Sequence, residues 1–155
     1  MKIFTTYYSN LRNVNFTNDD VVIVSISRTY PDFVKPTIHY TDVAPTPYMI
    51  GTFKKEFKTN KKLAIKHYVD DYLKVIKLNK FDANNFLKEY SEKYKDKLVL
   101  LCCYEKPESF CHRHLLSSYI RKFTGYNIHE LKTTKEEIFK QVLTTDNYVY
   151  ERIME

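Results

Sequence analysis

Two short apolar runs limit what this chain can become. Val21-Val22-Ile23-Val24-Ser25-Ile26 and Leu98-Val99-Leu100-Leu101-Cys102-Cys103 are apolar almost throughout instead of alternating with polar residues. Such runs suit strands buried on both faces, which occur where helices or other chain cover both sides of a parallel sheet. The first run follows a turn signal, Asn18-Asp19-Asp20, and ends at Ser27-Arg28-Thr29-Tyr30-Pro31, where Pro31 cannot continue a ladder. The second passes through a loop containing Pro107 into a helix expected over about His112–Phe123, with Gly125 at the position that closes it. Lys2–Thr6 reads as an earlier strand and Tyr126–Leu131 as a later one.

Helical periodicity fills the space between the runs. From Thr52 to Lys77, apolar residues recur at Phe53, Phe57, Leu63, Tyr68, Tyr72, Leu73, Val75 and Ile76, with a break near Thr59-Asn60. Asp82 then caps a helix on which Phe86, Leu87, Tyr90 and Tyr94 share one face. Helical spacing makes that tyrosine stripe core, not a platform for stacking bases. Thr134 and Glu137 form a capping-box pattern that opens a helix to about Val142, and Tyr148–Met154 reads as a last strand. Strands alternating with helices predict a single α/β domain over residues 1–155, in three layers around a mostly parallel sheet. No repeat, linker or low-complexity tract divides it. Residues 31–51 hold Pro31, Pro36, Pro45, Pro47 and Gly51 and are expected to form an irregular loop. A loop that long in a small domain is more often functional than idle.

The charge is +6, from 25 Lys and Arg against 19 Asp and Glu. The basic residues are spread along the chain, as on a solvated surface, and the excess still favours an anionic small molecule or nucleic acid as partner. No stretch approaches the roughly 20 apolar residues that cross a bilayer, and the N-terminus lacks the pattern of a signal peptide. The cysteines are Cys102, Cys103 and Cys111, an odd set with two adjacent. That usage fits a reducing compartment, so a cytoplasmic location is expected.

The segment Leu98 to Ile120 carries the chemistry. Ligands of open α/β sheets sit beyond the carboxyl ends of the strands, and backbone N–H groups at a helix start attract anions. The loop there gathers Glu105, Cys111, His112 and Arg113, and Arg28 joins them if the two buried strands are neighbours. Glu105 and His112 are the candidates for proton transfer. Cys111, at a helix N-terminus, is either an activated thiol or a packing residue. Arg113 is either an anion ligand or the buried partner of Glu105. His114 is expected to be exposed, and at least one of Cys102 and Cys103 to face the core. Cysteines with His112 and His114 offer zinc ligands, but the paired C-x2-C knuckles of structural zinc sites are absent, so no metal and no cofactor are expected. A phosphatase-type Cys-x5-Arg loop is absent too, because Glu108 and Ser109 stand where Cys102 or Cys103 would need an arginine.

The run Leu100-Leu101-Cys102-Cys103-Tyr104-Glu105-Lys106-Pro107 followed by Cys111-His112-Arg113-His114-Leu115-Leu116 resembles the signature of the domain-of-unknown-function 488 family. Members carry a strand ending in Leu-Leu-Cys, then a Glu, then Cys-His-Arg at the helix start. Tyr8-Ser9-Asn10 resembles the family's early turn, which adds Ser9 and Asn10 to the candidate ligand-binding set. Ile26-Ser27-Arg28-Thr29-Tyr30-Pro31 resembles its strand-end arginine and proline, and Asp42-Val43-Ala44-Pro45 the loop of its larger members. Tyr68 and Tyr72 fit its middle helix, and Tyr126–Leu131 its late strand. Two positions depart from many relatives: Ile26 stands in place of an Asp, and Tyr8 in place of a His. The resemblance implies a Rossmann-like domain with a polar pocket for a nucleotide or another phosphate-bearing ligand, and it implies no reaction. The leading expectation is an enzyme or sensor directed at such a ligand, with Arg113 and Arg28 on phosphate. A basic adaptor for nucleic acid or protein is second, and a thiol or redox protein using Cys111 third.

Overall fold

In the computed structural model, residues 2–13, 19–106 and 109–131 are described; the expected helix to Val142 and strand to Met154 lie outside the described residues. The two apolar runs form neighbouring strands, β2 (Val21–Ser25) and β4 (Leu98–Cys103), beside β1 (Lys2–Tyr7) and two short edge strands, β3 (Ile38–His39) and β5 (His129–Glu130). All pairings are parallel, in the order β3-β2-β4-β1-β5. β4 is central, with Leu98 opposite both Val21 and Lys2, so its carboxyl end emerges between those of β2 and β1.

Alternation along these strands builds two apolar clusters, one on each face. Val22, Val24, Ile26, Val99, Leu101 and Cys103 face the larger cluster, with the helices. Val21, Leu100 and Cys102 face the smaller one, which Tyr8, Leu11 and Val34 complete. The α/β class and the parallel sheet are as expected from the sequence. Covering both faces of β4 removes its apolar side chains from water, the largest favourable contribution to a fold of this kind.

Four helices are described: α1 (Pro47–Phe57), α2 (Lys61–Leu78), α3 (Ala83–Lys93) and α4 (His112–Thr124). Each start has a local cause. Thr46 Oγ1 accepts from the Met49 N–H and Pro47 occupies the first turn of α1, where its missing N–H costs nothing. Asn60 and Asp82 cap α2 and α3 in the same way. α1 therefore begins five residues before the expected Thr52, inside the proline-rich segment. That segment is also less irregular than expected, because it contains β3 and a 3-10 turn at Thr41–Val43. The tyrosine stripe of α3 is core: Phe86 and Tyr94 are buried and Tyr90 half-buried.

Gly125 ends α4 at φ 75°, a left-handed conformation, with its N–H donating to the Arg121 carbonyl. A Cβ there would meet nothing within 4 Å, so the only cost of a side chain is backbone strain. Gly125→Ala is expected to lower unfolding free energy by about 1 kcal/mol in a urea titration.

Candidate functional site

The carboxyl ends of β2 and β4 open onto a cleft of about 740 Å³ whose far wall is α1. The chain leaving β2 contributes Ser27, Arg28 and Thr29; the end of β4 and the loop after it contribute Cys103, Tyr104 and Glu105; the start of α4 contributes Cys111 and His112. Adjacent pairing of β2 and β4, the condition the sequence left open, is what brings Arg28 into one cleft with Glu105, Cys111 and His112. From α1 come Phe53, Lys54 and Phe57, which nothing in the sequence pattern placed there.

One wall is aromatic. Phe110 stacks against Phe53 at 5.2 Å between ring centroids, the planes inclined by 30°, and meets Tyr68 edge-on at the same distance. The same cleft carries two cations, Arg28 and Lys54. Arg28 is half-buried, its Nε and Nη2 donating to the Pro45 carbonyl at 3.4 and 3.3 Å, which anchors it to the loop before α1. Lys54 and Glu105 are exposed at the rim. Behind the cleft, the Tyr8 hydroxyl shares hydrogen bonds with Ser25 Oγ (2.6 Å) and Ser27 Oγ (2.5 Å). Burial raises the Tyr8 pKa, so it stays a neutral phenol that fixes both serines.

His112 is buried, and its Nε2 lies 2.7 Å from the Ile26 carbonyl. A carbonyl only accepts, so Nε2 carries the proton and Nδ1 keeps its lone pair, directed at Cys111 Sγ 3.8 Å away. Burial lowers the His112 pKa to about 4, with the neighbouring Arg113 charge adding to the effect and the Ile26 hydrogen bond opposing it. His112 is therefore neutral at pH 7, with its unprotonated Nδ1 turned toward Cys111. It is not a surface residue of the first helical turn. His114, expected to be exposed, is buried.

Arg113 is fully buried and does not reach the cleft. Its Nε and Nη2 donate to the two oxygens of Glu130, each at 2.9 Å, and Nη1 donates to the Glu105 carbonyl at 2.6 Å and to Cys103 Sγ at 3.0 Å. Thr5 adds a 2.6 Å bond to Glu130. The expected pairing with the Glu105 side chain is replaced by one with Glu130 of β5. The guanidinium is thus occupied in bracing β5, β4 and α4 together, and the role of anion ligand does not fit it.

Ser9 is exposed and Asn10 buried on the 3-10 turn that follows β1, where Asn10 Nδ2 donates to Thr6 Oγ1 at 3.1 Å. Neither lines the cleft. Cys102 is buried in the smaller cluster, and burial pushes its thiol pKa up to about 12. Cys103 and Cys111 are also buried, and their sulfurs meet in a disulfide-like contact with Cα atoms 7.8 Å apart.

What kind of domain this is follows from its family. The model for the Active DUF488-N3 subclade matches residues 8–124, which span both strand ends, the whole cleft and α4. The chain belongs to the DUF488 family. The match takes in Tyr8, Ile26, Cys103, Glu105, Cys111 and His112. Tyr8 and Ile26 are both engaged in the structure, since the Ile26 backbone carbonyl holds His112 and the Tyr8 hydroxyl holds Ser25 and Ser27. No curated protein and no solved structure matches the chain. Glu130 lies beyond the matched range, and the sequence signalled it only as the one acid of the late strand expected over Tyr126–Leu131. Among the described residues, no helix is long and apolar enough to cross a membrane.

Proposed function

We propose that the cleft binds a nucleotide or a nucleic-acid-derived ligand and acts on it. The observation that carries this reading is the pairing, in one cavity at the strand ends, of an aromatic wall with two cationic side chains. Phe53 and Phe110 line the cleft and are the rings against which a base would stack, a contact worth roughly 1–3 kcal/mol per base. Arg28 and Lys54 lie where they would meet a phosphate, and a planar guanidinium suits two of its oxygens at once. Glu105, the exposed carboxylate that lines the cleft, would be the group that moves a proton. The matched subclade is described as active, which favours catalysis over passive binding.

A thermal-shift series with nucleotides, nucleosides and inorganic phosphate tests the reading. A ligand present at a hundred times its dissociation constant should stabilise the fold by about 2.7 kcal/mol. Lys54→Ala should weaken a phosphate-bearing ligand by raising its dissociation constant several-fold while leaving the unliganded melting temperature unchanged, since Lys54 is exposed. Absence of a shift with every compound, or a shift indifferent to both Lys54→Ala and Arg28→Ala, would overturn it. Salt-sensitive binding to nucleic acid without any small-molecule shift would then favour an adaptor.

A further inference from the structure

We propose that Cys103, Cys111 and His112 form a binding site for a single borderline-soft divalent metal ion, of the zinc class, on the inner wall of the cleft. The three residues are buried, and one ligand atom from each lies within 4.8 Å of the others. They come from two elements, Cys103 from the end of β4 and the other two from the start of α4. All three also line the cleft, so an ion held by them would keep a coordination position facing it.

Several features around the trio suit ligation. A metal needs a neutral imidazole with an unprotonated nitrogen, usually oriented by a hydrogen bond from the other one. His112 meets that requirement, because Nε2–H is taken by the Ile26 carbonyl and Nδ1 points at Cys111. The thiols must bind as thiolates, and Arg113 Nη1 donates to Cys103 Sγ at 3.0 Å, which favours the anion. Two thiolates balance a divalent ion, while Glu130 balances Arg113, so the assembled site is neutral. The Cα atoms of Cys103 and Cys111 stand 7.8 Å apart. That exceeds the roughly 4.4–6.8 Å span of a disulfide and suits two sulfurs converging on a shared atom. Two sulfurs and one nitrogen with an open fourth position resemble catalytic zinc sites more than closed structural ones. Binding displaces one proton from each thiol into solvent; no electron transfer is involved.

The site does not depend on the nucleotide reading, and its test uses the metal alone. Reduced, chelator-treated protein titrated with Co²⁺ should develop a thiolate-to-cobalt charge-transfer band that saturates at one ion per chain and is displaced by Zn²⁺. Cys103→Ser and Cys111→Ser should each lose most of the band. Cys102→Ser should retain it, because Cys102 lies on the other face of the sheet. A second readout needs no variant: Zn²⁺ should protect Cys103 and Cys111 of the wild-type protein from alkylation, with protection lost on adding chelator. A wild-type protein that gives no charge-transfer band and no thiol protection, or a band that survives both serine substitutions, overturns the site.

Discussion

Arg113→Met and Glu130→Leu are each expected to lower the unfolding free energy by about 3–5 kcal/mol, because each leaves one charge buried without its partner. Both side chains are almost fully inaccessible, at 0% and 1% exposure, so solvent does not screen their interaction. The loss would extend beyond the pair. Glu130 also accepts from Thr5, and Arg113 also donates to the Glu105 carbonyl, so either substitution strips hydrogen bonds from β1 or from the loop after β4. The double variant Arg113→Met/Glu130→Leu removes both charges together and is expected to recover much of the loss, as apolar replacements of buried ion pairs often do. Urea titrations of the wild type, both single variants and the double variant measure the coupling. Additive losses in the double variant would show that the guanidinium and carboxylate act independently. The cleft supplies a second readout. If Arg113 braces the loop instead of touching a ligand, the double variant should retain ligand binding to the extent that it folds.

Tyr72→Ala is expected to cost about 3–5 kcal/mol, the range for removing a large buried aromatic side chain. Tyr72 is 0% exposed, stacks near Tyr68 at 6.4 Å and lies 5.8 Å from the His112 ring. Its hydroxyl donates to the Val43 carbonyl at 2.7 Å, tying α2 to the loop whose next two carbonyls hold Arg28. Tyr72→Phe keeps the ring and leaves that carbonyl unpaired, for an expected cost of about 1 kcal/mol. Chemical denaturation of the two variants separates packing from hydrogen bonding. A Tyr72→Phe loss close to that of Tyr72→Ala would mean that the hydroxyl, not the ring, holds the helix to the loop.

Much of the fold was legible because its signals are local. The apolar runs of β2 and β4 announce strands through their composition, and the Asp82 cap, the Gly125 stop and the break at Thr59-Asn60 each announce a helix end within a few residues. The early start of α1 was legible too, in Thr46-Pro47, but a proline-rich stretch reads more readily as loop than as a capped helix start. The position of the site followed from the same local logic: a strand that ends at Cys103 and a helix that begins at His112 must leave a loop between them at the strand ends.

The roles of individual residues were not legible, because each depends on a partner remote in sequence. Arg113 finds Glu130 seventeen residues on, in β5, and His112 finds the Ile26 carbonyl eighty-six residues back. Parallel pairing is the physical reason: neighbouring strands are joined by long crossovers, so groups that meet at the strand ends are far apart along the chain. The sequence by itself determined an α/β domain, its buried strands and the strand–loop–helix segment that lines the cleft. Only the tertiary structure decided that Arg113 is sealed into an ion pair, that His112 is neutral with Nδ1 facing Cys111, and that α1 supplies Phe53 to the aromatic wall of the cleft.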